Sequence, residues 1–184
     1  KFQTTQGFRN YFSTDLPIIS ETNTLANTFI TTNYYEYFNN YILKSSFYFK
    51  NSNSITGENI KLSERLTLPS NRLRGFERGK IGPKDGNDFI GGNYVASLNF
   101  SSDVPKLLEN SQTTDLIIFL DIANVWGVDY DSSLEKSDDI KSAVGIGLDW
   151  FTPVGPLNFT LSQPLLKGTN DITESFRFNL GTTF

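Results

Sequence analysis

Side chains that commonly carry chemistry are scarce in this chain. Its 184 residues include no cysteine and no histidine. That removes disulfides, thiolate nucleophiles and thiolate metal sites, together with the commonest general base and metal ligand. A hydrolase built on a small barrel would lack its nucleophile–base pair, so no catalytic residue is assigned and no enzyme is expected. Carboxylates and guanidinium groups remain. Asp129, Asp131, Asp138 and Asp139 gather in one polar stretch and could meet a divalent cation. Their spacing matches no calcium loop, and a solvated loop explains them better, so neither a metal nor a cofactor is expected. Gly75 and Gly79, followed by Gly82-Pro83, announce a loop with unusual backbone angles. A phosphate cradle would need a strand before such glycines and a helix after them, and the pattern offers no helix. Arg74 stands in the same loop; read alone, it is an ordinary solvated arginine.

The elements that must position these groups are strands. Helical periodicity is nearly absent, while alternation with a period of two recurs. Leu116, Ile118, Leu120 and Ile122 share one face, against Ile117, Phe119, Asp121 and Ala123. Val144, Ile146, Leu148 and Trp150 oppose Ala143, Gly145, Gly147 and Asp149. Leu157, Phe159 and Leu161 oppose Asn158, Thr160 and Ser162, and Phe176, Phe178, Leu180 and Phe184 oppose Arg177, Asn179, Gly181 and Thr183. Fainter strands are expected around 94–100, 41–49, 24–36 and 6–16. The total is about eight, each near the roughly 9–11 residues that a tilted strand needs to cross a bilayer. Parity alone puts Asp121 and Asp149 on the polar faces.

A soluble sandwich also alternates, but its inner face must be bulky and apolar. Here one face is small and polar (Gly145, Gly147, Asn158, Thr160, Ser162), so the bulky face is the one that would meet lipid. Connections alternate in length as well. Tight turns are expected at Asn39-Asn40 and at 152–156, and longer polar stretches near 51–89, 127–140 and 166–174, which is the outer-membrane barrel pattern. The stretch 102–114 is rather long for a short-side turn. All seven prolines fall at or near expected strand ends or in loops, where they cost no ladder hydrogen bonds. Aromatics at 14% suit membrane interfaces, and the net charge of −4 argues against broad nucleic-acid binding. The chain opens at Lys1 without a Met or a targeting segment, which reads as a fragment or a processed piece.

Several motifs then occur in order. They are Leu73-Arg74-Gly75-Phe76, Ile81-Gly82-Pro83-Lys84, Ile90-Gly91-Gly92-Asn93, Leu120 to Trp126, Trp150 to Leu157, and the closing run Phe176 to Phe184. One four-residue piece would be weak; the ordered set resembles the C-terminal barrel region of the BamA family of outer-membrane assembly factors, in the superfamily of POTRA-barrel insertases and transporters. The likeness covers 73–184, and 1–72 matches only as strands in the expected place.

The resemblance implies an all-β fold: an antiparallel transmembrane β-barrel of sixteen strands, of which 1–184 would be a single partial domain supplying about the last eight. POTRA modules and the N-terminal strands would lie outside it. It implies that the loop at about 53–89 folds into the lumen and that Arg74, Gly75 and Phe76 form its motif. The lumen partners of that loop would be Asp121 and, failing that, Asp149. The family tends to carry an acid on the neighbouring strand, where this chain has Asn99, so one charge partner is missing. Phe176, Phe178, Leu180, Gly181 and Phe184 would form the terminal strand, which acts both as assembly signal and as seam. Gly181 would weaken that seam and permit a bend. The implied activity is folding and insertion of other barrel proteins in the bacterial outer membrane. Implied partners are lipid and lipopolysaccharide, nascent outer-membrane proteins and accessory lipoproteins, without nucleic acid. The alternative is a related translocation pore, TamA-like or a two-partner secretion transporter.

Overall fold

The computed structural model describes residues 4–16, 24–38, 41–104, 113–131, 134, 139–153 and 155–180. Ten strands run β1 (Gly7–Asp15), β2 (Thr24–Tyr37), β3 (Tyr41–Ser54), β4 (Lys84–Asp85), β5 (Asp88–Phe89), β6 (Tyr94–Asp103), β7 (Thr114–Trp126), β8 (Lys141–Thr152), β9 (Gly155–Leu166) and β10 (Phe176–Leu180), with a single 3-10 turn at Leu62–Glu64. Eight of them form one antiparallel sheet in the order β1-β2-β3-β6-β7-β8-β9-β10. Every strand pairs with its neighbour in sequence, and the minor hairpin β4–β5 interrupts the β3–β6 connection. β1 and β10 are the two open edges. No helix among the described residues is long and apolar enough to cross a membrane.

The outer face is a belt of exposed and half-buried apolar side chains joined by register. Phe12 faces Phe29, Phe29 faces Phe49, Phe47 faces Leu98 and Leu98 faces Ile122. Ile118 then faces Ile146, Ile146 faces Leu161 and Leu161 faces Phe176. Apolar groups left this open in water would be costly, whereas in a bilayer they are already in their solvent. On β1 and β2 the same face carries Asn10, Thr14, Asn27 and Thr31. They pair across the strands, Thr31 Oγ1 donating to Asn10 Oδ1 at 2.6 Å and Thr14 Oγ1 to Asn27 Oδ1 at 2.8 Å. Pro164 lies within β9 rather than at its end. It sits opposite Ala143, where the β8–β9 register shifts, and a bulge is where a strand tolerates proline.

The inner face differs from the small, polar wall that alternation suggests. β8 and β9 do present Gly145, Gly147, Asn158, Thr160 and Ser162 inward. On β6 and β7 the inward residues Val95, Ala123 and Val125 are apolar and fully buried. They are covered by the β3–β6 connection, whose Leu66, Leu68, Leu73, Phe76 and Ile81 form one cluster with Tyr48, Val95, Ala123, Val125 and Ala143. The core is therefore the contact between sheet and loop. The connections after β1, β3, β7 and β9 leave one rim; the two short turns, after β2 and β8, leave the other, together with the longer connection 104–113. The Asn39-Asn40 turn, the stretch 105–112, Asp138, Gly181 and Phe184 lie outside the described residues.

Candidate functional site

The loop is brought inward by its own backbone. Leu66 and Gly92 exchange both hydrogen bonds, at 2.7 and 2.9 Å, and Asn93 N–H donates to Gly127 O at 2.8 Å. Glycine is required at 92, because a Cβ there would lie 2.4 Å from Trp126 O. The far end of the loop rests on the opposite wall. Gly75 has φ +90°, and a Cβ on it would meet Ala143 Cβ at 2.9 Å. Two backbone bonds then tie this tip to the β9–β10 connection: Glu77 N–H to Ile172 O at 2.9 Å and Glu174 N–H to Gly75 O at 3.0 Å. Phe76, 1% exposed, fills the space beneath.

Arg74 and Asp121 meet at this tip. Arg74 donates to the Asp121 carboxylate from Nε at 2.7 Å and from a terminal nitrogen at 2.8 Å, and its backbone N–H adds a bond at 3.0 Å. Its guanidinium lies 3.4 Å from the centre of the Phe119 ring, a cation–π contact. Asp121 is fully buried, so the charge is tolerated only because donors surround it. Asn99 is one of them: its amide donates to Asp121 Oδ1 at 2.8 Å and to Arg72 O at 2.7 Å. The place where a second acid was expected thus holds a donor to the first. Asp149 is bound by the Asn158 amide instead of by Arg74.

Phe176, Phe178 and Leu180 are exposed on the outer face of β10, with Phe178 against Phe159 at 5.1 Å. Sequence reasoning gave Arg177 no role, yet it joins this strand to the loop. Arg177 is 7% exposed and donates to Ser70 O at 2.8 Å, Phe76 O at 2.6 Å and Glu174 Oε2 at 2.9 Å. Its sequence signal was a charge at an inward parity position. Lys141, also overlooked, is buried against Asp171 at 3.0 Å.

Arg65, which the sequence did not single out either, closes the loop rim. It reaches Asp129, Ile60 O and Asn93 Oδ1 and stacks on Tyr130 at 4.8 Å. Burial alone would raise the Asp129 carboxyl, but the N–H of Ile60 and the guanidinium of Arg65 outweigh it and hold the group below its ordinary value. Asp129 is thus spent on a latch, and among the described residues no three His, Cys, Asp or Glu side chains gather closely enough to hold a metal.

A curved antiparallel sheet that is greasy outside and holds a charge-anchored loop inside describes an integral outer-membrane β-barrel. The whole chain, residues 1–184, matches the Omp85 superfamily domain, and the chain belongs to that family. It is 28% identical over 132 residues to the outer membrane protein assembly factor BamA of Neorickettsia risticii, covering 70% of this chain and 18% of the relative. The BamA of Neisseria meningitidis is 27% identical over 139 residues, covering 61% of this chain and 17% of the relative. The chain therefore spans less than a fifth of these curated relatives. The crystal structure of Haemophilus ducreyi BamA lacking POTRA domains 1–3 superposes with a TM-score of 0.82 at 22% identity, over 97% of this chain and 38% of that one. That likeness is one of fold.

Proposed function

We propose that this chain is the C-terminal part of the barrel of an outer-membrane protein assembly factor, which folds and inserts other barrel proteins through a lateral seam at β10. The work is done by binding and templating, with no covalent step. One observation carries the reading. Arg177, on the terminal strand whose described pairs run from Phe176–Leu161 to Leu180–Leu157, fastens that strand to a loop anchored elsewhere on the sheet. A seam strand parted from its neighbour offers unpaired N–H and C=O groups to an incoming strand, and in lipid such groups are strongly driven to find partners. An anchored loop beside the edge keeps the rest of the wall fixed while the seam exchanges.

The names of the BamA relatives support assembly over secretion, although a translocation pore of the same superfamily would share the loop motif. Partners on this reading are nascent outer-membrane proteins, accessory lipoproteins, and lipid with lipopolysaccharide. Phe184 would be the last contact of the assembly signal, and Gly181 the weak point of the seam. The test uses the full-length protein in liposomes, with cysteines placed to cross-link the terminal strand to the first strand of the barrel. Oxidation should stop insertion of an unfolded client barrel, and reduction should restore it. Insertion at an unchanged rate with a fully locked seam would remove the gate from the mechanism.

A further inference from the structure

We propose that the chamber between the docked loop and the short-turn rim is a binding site for the carboxylates of an extended, acidic polypeptide segment. The chamber has a volume of about 400 Å³ and is lined by Arg9, Lys44, Arg72, Arg74, Arg78 and Arg177, with Asp149 as the acid among them. Two of the six cations are compensated locally, Arg74 by Asp121 and Arg177 by Glu174. Arg9 is exposed to the chamber, and Arg72, Arg78 and Lys44 meet neutral groups. Arg72 donates to Ser46 Oγ at 2.8 Å and lies 5.0 Å from the Tyr48 ring. Arg78 donates to the Asn179 amide oxygen, and Lys44 lies 5.9 Å from the Tyr34 ring. Asp103 attracts Lys44 from nearby, and Asp149 is occupied by Asn158, so the wall keeps an excess of positive charge.

Holding guanidinium groups by hydroxyls, amides and ring faces fixes their direction without spending their charge. Such groups take oxyanions bidentately, and the Arg74–Asp121 pair shows this lumen doing so with a carboxylate. Lipid phosphates lie against the other face of the sheet, so the anion that reaches this chamber arrives along the lumen. The rest of the lining offers hydroxyls and amides (Thr32, Ser101, Asn158, Thr160) suited to a peptide backbone. Net charge has the opposite sign elsewhere: the chain as a whole is at −4, so the cations are concentrated here. The inference stands on the barrel geometry and does not require the assembly reading, because its test measures binding alone.

The test takes the full-length protein in nanodiscs and a fluorescein-labelled peptide of alternating Glu and Ser, read by anisotropy. A Lys/Ser peptide and inorganic phosphate at matched ionic strength serve as probes of charge sign and of anion type. Saturable binding of the acidic peptide is expected, weakening with salt because exposed charges are screened. It should weaken at least tenfold in Arg9→Gln/Arg78→Gln, with no binding of the basic peptide. Folding of the variant is checked by an unchanged proteolysis pattern. If the variant misfolds, the salt dependence and the contrast between the two peptides in the unaltered protein still decide. Three results would overturn the proposal: no saturable binding, equal binding of both peptides, or displacement by phosphate beyond the matched-salt effect. The first would mean that other strands of the barrel already neutralise the chamber.

Discussion

Removing either partner of the Arg74–Asp121 pair should destabilise the loop far more than an ordinary surface change. Asp121 is fully buried and accepts four hydrogen bonds, three from Arg74 and one from Asn99. Arg74→Ala deletes the two side-chain bonds and the cation, leaving a buried carboxylate with two neutral donors. Breaking a buried pair in this way costs about 3–5 kcal/mol. Asp121→Ala should fall at the upper end of that range, because it strands one N–H of the Asn99 amide, whose other bond to Arg72 O survives, and the Arg74 backbone N–H, at about 1–3 kcal/mol for a buried group left unpaired. The double variant strands no charge, so its cost should undershoot the sum, and a coupling of about 2–3 kcal/mol is expected, near the top of the usual range for contacting residues. Arg74→Lys keeps the charge but loses the fork, and should recover only part. Denaturant unfolding of the full-length protein in vesicles supplies the cycle, read from midpoints at constant slope. Coupling below about 0.5 kcal/mol, or an Asp121→Ala cost within the roughly ±0.5 kcal/mol of neutral surface changes, would show that the pair is not what anchors the loop.

The outer belt is tested by Ile118→Arg, at a position 50% exposed on the bulky face, which should cost about 2–4 kcal/mol if lipid lies there. Ser101→Asp on the cationic lumen wall should cost under about 1 kcal/mol in the same titration, and equal costs would contradict the assignment of faces. Gly75→Ala should undock the loop tip and speed trypsin cleavage at Arg78. Ala143→Gly should restore only part of the protection, since it removes the 2.9 Å contact but leaves the residue at φ +90°. The Asp129 latch should respond to acid. Its carboxyl is depressed in the folded state below the ordinary 3.8, so the stabilisation is fully present above that value and is lost as pH falls through the lower folded value. The protection of the Ile60 amide, taken relative to its intrinsic exchange rate at each pH, should therefore fall below about pH 4, and a profile identical to that of Asp129→Asn would contradict it.

Much of the fold is legible in the sequence because a lipid-facing strand advertises itself. β7, β8 and β9 place bulky residues outward at every second position, and their expected spans agree with the structure to within a few residues. β1 and β2 are faint because Asn10, Asn27 and Thr31 share the outer face and satisfy one another across the strands, a pairing that alternation does not reveal. Parity also mistakes room for small size. Gly147 looks like an open lumen position, yet a Cβ there would sit 2.8 Å from Ile117 Cγ1. The long-range partners were beyond reach for a different reason. Arg177 and Phe76 are separated by 101 residues, and nothing in local pattern says which carbonyl an inward guanidinium will find.

Sheet and loop depend on each other, and that dependence explains the uneven inner wall. Val95, Ala123 and Val125 would be a liability in an open aqueous lumen, where apolar surface costs about 25 cal/mol per Å². They are acceptable because Leu66, Leu73, Phe76 and Ile81 cover them. The loop in turn has little regular structure of its own, only a two-residue hairpin and a single 3-10 turn, and takes its conformation from that wall. Apolar burial of this kind holds the loop inward but leaves its register loosely specified, since one aliphatic contact resembles another. The directional bonds supply the register: Asp121 fixes Arg74 on β7, Ala143 admits only Gly75 on β8, and Arg177 reads the Phe76 carbonyl from β10. Three consecutive residues of the motif are thus each positioned by a different strand. A displacement of β10 pulls on the same tip that β7 and β8 hold, so the terminal strand and the lumen loop can exchange strain directly.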